Sequence, residues 1–128
     1  MSSIISRSMR QMAADSIAEQ STFTIKLGET NRAGPRTRIW IEGARLLRHG
    51  FTARQLVLRV WGEHRLILMP TSPNEWNAAA RDERGSIAGT ETRPIIDITG
   101  ALVFQTFRTE RVTVKFANGN IDISEAAR

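Results

Sequence analysis

The chain of 128 residues contains no cysteine and no tyrosine, and it has only four prolines and two lysines. Without cysteine there is neither a disulfide framework nor a thiolate for a zinc or redox site, so packing alone must hold the fold. That usage fits a reducing compartment. Long apolar runs are absent as well: nowhere do roughly 18 apolar residues follow one another, as a membrane span requires, and the first residues lack the apolar stretch of a secretory signal. The expectation is a cytoplasmic protein with no membrane partner. Histidine is limited to His49 and His64, and with no evident third ligand neither a metal nor another cofactor is expected.

Negative charge is scarce in one window. Between Arg32 and Arg65 eight arginines (Arg32, Arg36, Arg38, Arg45, Arg48, Arg54, Arg59, Arg65) face only Glu42 and Glu63, a local excess of six positive charges in a chain whose net charge is +5. Arginine outnumbers lysine 16 to 2. A guanidinium fork matches phosphate oxygens in a way that an ammonium does not, so the cluster reads either as a solvated basic face or as a footprint for a phosphate backbone.

A hydrophobic fraction of 41% in this length supports one compact domain. Residues 1–20 place Ile5, Met9, Met12 and Ser16 at helical spacing and read as an arm or an amphipathic helix. A first unit spans 21–69. STFTIKL, Ser21 to Leu27, alternates as a half-buried strand; RIWIEGARLLRHGF, Arg38 to Phe51, runs from a strand into a short helix that ends in Gly-Phe; QLVLRVW and RLILM then form a hairpin. Alternation turns Ile39, Ile41, Leu56, Leu58 and Val60 inward and Trp40, Arg59 and Trp61 outward, so the two indoles present a possible partner surface. Residues 70–85 read as a linker with one helical turn near Ala78 to Arg81, residues 86–124 as a second unit, and 125–128 as a tail.

The second unit repeats the first. Ile41-Glu42-Gly43-Ala44 matches Ile98-Thr99-Gly100-Ala101, Leu46-Leu47 matches Val103-Phe104, Phe51 matches Phe107 after a one-residue deletion, and Arg36 matches Arg93. Continuing the alignment sets Leu56, Leu58 and Val60 on Val112, Val114 and Phe116, and Arg59 on Lys115. Two copies are too few for a solenoid. A two-fold body in which each half completes the other is the alternative.

This order of strand, Gly-containing helix, Gly-Phe and hairpin resembles the SpoVT-AbrB superfamily, and IWIEGARLLRHGF followed by RVWGEHRLIL is most similar to its SymE-like branch. The tandem is also similar to a module ahead of some phage-type cytosine DNA methyltransferases. Arg45 departs from the aromatic usual in the branch, and Gln105-Thr106-Phe107 replaces Gly-Phe in the second half. The resemblance implies a mainly β fold with short helices (α+β), specifically a swapped-hairpin AbrB-like barrel made as a single-chain pseudo-dimer, either monomeric or paired further as a homodimer. It also implies double-stranded DNA as the partner, with Arg38 carried over as a DNA-contacting residue and Arg36 beside it.

The expected nucleic-acid-binding set is therefore Arg32, Arg36, Arg38, Arg45, Arg48, Arg54, Arg59 and Lys115, in a regulatory protein with no catalytic residue. Two rivals stand beside it. One is a phage- or plasmid-type module that inhibits a nucleic-acid-handling enzyme by protein contact. The other, implied by the SymE-like branch, is a toxin acting on RNA, for which His49, Glu42 or His64 would supply a general acid or base.

Overall fold

The computed structural model describes residues 21–126; the expected helix or arm at 1–20 and part of the tail lie outside them. Ten strands form two antiparallel sheets. The larger contains β1 (Thr22–Lys26), β4 (Leu56–Gly62), β5 (Arg65–Pro70), β6 (Arg84–Ser86), β9 (Arg111–Ala117) and β10 (Asn120–Glu125) in the order β1-β9-β10-β5-β4-β6. The smaller has β2 (Gly28–Thr30), β3 (Gly34–Glu42), β7 (Ala88–Gly89) and β8 (Pro94–Thr99) in the order β2-β3-β8-β7. Three short helices complete the set: α1 (Ala44–Arg48), α2 (Pro73–Ala78) and α3 (Ala101–Thr106).

Both strand orders are palindromes. Exchanging β1, β2, β3, β4 and β5 for β6, β7, β8, β9 and β10 turns each list into its own reverse. The registers follow the same rule, since Ile39 faces Ile98 and Ile41 faces Ile96, while Leu66 faces Ile123 and Leu68 faces Ile121.

The expectation of a barrel is corrected, because neither sheet closes. The larger ends at β1 and β6, the smaller at β2 and β7. Two corners join the sheets. After β1 and after β6 the chain leaves one sheet for the other at Leu27 and Ile87, whose N–H groups donate to the Glu110 and Gln55 carbonyls (2.7 and 3.0 Å), the next positions in the β1–β9 and β4–β6 registers. Both corner side chains are buried.

The core lies between the sheets. It joins Ile39, Ile41, Ile96 and Ile98 of the smaller sheet to Val57, Leu66, Leu68, Val112, Val114, Ile121 and Ile123 of the larger, with Leu46, Val103, Phe51 and Phe107 closing the helical ends. Each such residue contributes about 1.5–3 kcal/mol by leaving water. The Gly-Phe step after α1 has a direct cause. Phe51 N–H donates to the Leu46 carbonyl (2.8 Å) and Gly50 N–H to the Leu47 carbonyl (3.0 Å), a Schellman closure that needs the positive φ of Gly50. In α3 the closure is simpler, Phe107 N–H to the Val103 carbonyl (3.0 Å), so no glycine is required.

Two further expectations change. The β4 phase is reversed: Val57 is buried and Trp61 packs against the core, whereas Val60 is 45% exposed. The hairpins settle the register, Gly62 facing Arg65 as Ala117 faces Asn120, so Arg59 corresponds to Val114 and Val60 to Lys115. A second one-residue deletion falls between Phe51 and β4, where four residues in the first half answer three in the second. Within 70–85, the helix is at Pro73–Ala78, earlier than expected, because Ser72 caps it through Glu75 N–H (3.3 Å) and Pro73 opens it; a 3-10 turn follows at Arg81–Glu83.

Candidate nucleic-acid interface

Strand β3 buries Ile39 and Ile41 and therefore sends Arg38, Trp40 and Glu42 to the outer face of the smaller sheet. Trp40 is 39% exposed, as alternation predicts. The Arg38 guanidinium stands over its ring, 4.4 Å from the centroid, and forks onto Asp97 of β8 (3.0 and 3.1 Å). That hydrogen-bonded carboxylate raises the Arg38 pKa above its ordinary value, although some desolvation opposes it. Beside it Glu42 takes Arg93 of β8 (3.1 and 2.6 Å). Half of this face is thus neutralised by cross-strand pairs.

Helix α1 begins at Ala44, after the single residue Gly43 that follows β3, and carries Arg45 and Arg48 to the rim of the same face. With Trp40, Glu42 and Phe23 they line a cleft of about 520 Å³. The Arg45 guanidinium lies 3.9 Å from the centroid of the Phe23 ring and makes no ion pair among the described residues. An aromatic face holds such a cation without cancelling its charge. Trp40, Arg45 and Arg48 are thus brought together around one concave surface, and Arg38 adjoins it over the Trp40 ring.

The other expected residues are dispersed. Arg32 is exposed in the turn between β2 and β3. Arg36, at a φ of 56°, leaves the face: it donates to the Arg108 carbonyl and covers the Phe104 ring at 4.6 Å. Arg54 is exposed in the loop before β4, where its backbone N–H donates to the Ile87 carbonyl (2.6 Å). Lys115 points out of the larger sheet, in register with Thr22 and Asp122, away from the Trp40 cleft. Arg59 and Trp61 are not outward as expected; Arg59 is desolvated, which lowers its pKa, with Asp82 opposing, and the Trp61 indole N–H donates to the Asp82 carbonyl (3.0 Å).

The residues considered for acid–base chemistry occupy separate surroundings. His49 stacks on Phe116 at 4.3 Å, and burial, helped by Arg48, holds its pKa below the ordinary value. His64 sits in the β4–β5 turn with Nδ1 3.2 Å from a Glu125 carboxylate oxygen, while Glu42 is held by Arg93. No group of three potential metal ligands occurs among the described residues, and no helix among them is long and apolar enough to cross a membrane. Sequence reasoning missed Phe23 as a platform for Arg45 and Asp97 as the counter-ion of Arg38. Both depend on strand pairing across more than fifty residues, for which the repeat offered only an indirect signal.

Comparison of the chain with protein-family models, with curated proteins and with solved structures gave no match.

Proposed function

We propose that this protein binds duplex DNA through phosphate contacts made by Arg45 and Arg48, with Arg38 and Trp40 completing the surface. The observation that carries this reading is the cleft itself: Arg45 keeps an uncompensated charge on the Phe23 ring beside Arg48 and an exposed indole. Phosphate attraction of this kind requires accessible guanidinium groups on one face, and base or sugar contact by an exposed aromatic adds to it. The two halves act as a single-chain pseudo-dimer. Strand β1 of the first half pairs with β9 of the second and β6 of the second with β4 of the first, an exchange consistent with the swapped hairpins of the SpoVT-AbrB superfamily.

Fluorescence anisotropy of a labelled duplex across a salt series tests the proposal. Arg45→Ala and Arg48→Ala should each weaken binding to all sequences alike and reduce the salt slope by about one. Wild-type affinity in the double variant would remove the DNA reading. A protein partner is favoured by one separate observation: on the outer face of the larger sheet, Val60 and Met69 are 45% and 39% exposed. If that reading holds instead, Val60→Lys should abolish capture of the partner while the arginine variants retain it.

A further inference from the structure

Arg59 occupies a position that the repeat gives to a core residue. Its counterpart Val114 is fully buried, and the neighbouring edge strand supplies Ile25 beside Val112 in one half but Gly85 beside Val57 in the other. The glycine leaves room for the Arg59 side chain as it lies. A Cβ at position 85 would stand 2.8 Å from Arg59 Nε and 3.1 Å from Val57 Cγ2. An arginine in place of valine and a glycine in place of isoleucine thus form a matched exchange that removes apolar packing and admits a guanidinium.

That guanidinium is poorly provided for within the chain. Its Nε is buried with no hydrogen-bond partner, and no side chain or carbonyl among the described residues takes a hydrogen bond from it. Only Asp82 answers its charge, through space. Burying a cation this way is costly unless something pairs with it. Arg59 borders a cleft of about 460 Å³ whose walls include Trp61, Arg81, Asp82 and Thr99. The Trp61 ring is fixed there by its bond to the Asp82 carbonyl.

The internal two-fold relates this cleft to the one around Trp40. Thr99, Gly100 and Ala101 answer Glu42, Gly43 and Ala44, and each cleft combines one tryptophan, two arginines and one carboxylate. The residues that supply these groups differ, since Arg45 and Arg48 come from a helix whereas Arg59 comes from the β4 strand.

We propose that the Arg59–Arg81–Trp61 cleft binds a terminal phosphate group, carried either by a mononucleotide or by the end of a nucleic-acid strand. The Arg59 Nη groups supply the donors that a phosphate dianion accepts from, Nε being shut off behind them against Gly85, while Arg81 adds charge at the rim and Trp61 forms an aromatic wall. Asp82 opposes an anion and thereby limits affinity. This assignment stands on the Arg59/Gly85 exchange and is independent of the DNA contacts proposed for Arg45 and Arg48.

The test is isothermal titration of the full chain with inorganic phosphate, with adenosine monophosphate, and with a short single-stranded oligonucleotide carrying or lacking a terminal phosphate. Saturable binding of inorganic phosphate is expected. Arg59→Val, which restores the residue of the other half, should weaken it at least tenfold while leaving circular dichroism unchanged. Asp82→Asn, which keeps the backbone acceptor of Trp61, should strengthen it several-fold. The Arg45→Ala/Arg48→Ala variant should bind phosphate like the wild type, so that failure here and failure of the DNA proposal are read separately. Preference for adenosine monophosphate supports the free nucleotide as source; preference for the phosphorylated oligonucleotide over its unphosphorylated form supports a strand end. Absence of saturable phosphate binding, or undiminished binding by Arg59→Val, overturns the assignment.

Discussion

At the scale of single residues, His49 offers a pH-dependent test. Burial lowers its folded pKa below the ordinary value near 6.5, so the unfolded chain takes up a proton before the folded one does. The contribution to stability is complete above the unfolded value and is lost as pH falls through it toward the folded value. Urea midpoints measured from pH 7.5 down to pH 5 should therefore fall more steeply for the wild type than for His49→Phe, which keeps a ring on Phe116 and removes the titration. Parallel profiles would show that His49 is not coupled to folding. At this scale the sequence was legible where one face is clearly apolar: Ile39 and Ile41 are buried and Trp40 is not. It was illegible at Arg59, because a charged side chain reads as outward by default, and only the opposing Gly85 reveals that space was left for it.

At the scale of elements, β4 shows why alternation can fail. Its sequence LVLRVWG is apolar in both phases, with Leu56, Leu58 and Val60 on one side and Val57 and Trp61 on the other. Periodicity could not choose between them; pairing with β5, where Leu66 and Leu68 are buried, does. Substitution distinguishes the two phases. Val57→Ala should cost about 2 kcal/mol in a denaturant melt, from lost burial and the space left behind, whereas Val60→Thr should stay within about 0.5 kcal/mol. The reverse order would restore the phase suggested by the repeat alignment. The helix at Pro73–Ala78 was legible in principle, since Ser72-Pro73 followed by Glu75 is an N-terminal signature; two prolines nearby drew the reading toward a linker.

At the scale of the whole molecule, the repeat was readable because Gly-Ala steps and paired apolar residues recur at nearly constant spacing, and the palindromic strand orders follow the same division. Closure into a barrel was not readable, since it depends on whether strand edges far apart along the chain pair, and the edges at β1 and β6 and at β2 and β7 do not. The interdependence of the halves leads to a prediction. Residues 21–70 contain β1 without β9 and β5 without β10, leaving both strands without their neighbours and the core without its second-half members. On a sizing column this fragment should elute as an associated species or be recovered unfolded; a folded monomer would contradict the mutual completion of the halves. Sequence reasoning placed the arginines near one another along the chain, yet only some meet in space, because β3 and α1 share an end while Lys115 belongs to the opposite sheet.

The pairing of β1 with β9 also bears on how the protein is made. Thr22 finds its partner in Lys115, and β10, at the middle of the larger sheet, follows the other nine described strands in the chain. At ordinary translation speeds β1 waits on the order of 5–20 s for its partner. During that interval the β5 edge that β10 will pair with stays open, and Leu66 and Leu68 lack their second-half core neighbours. An unpaired strand edge of this kind is open to association with other chains until the second half arrives.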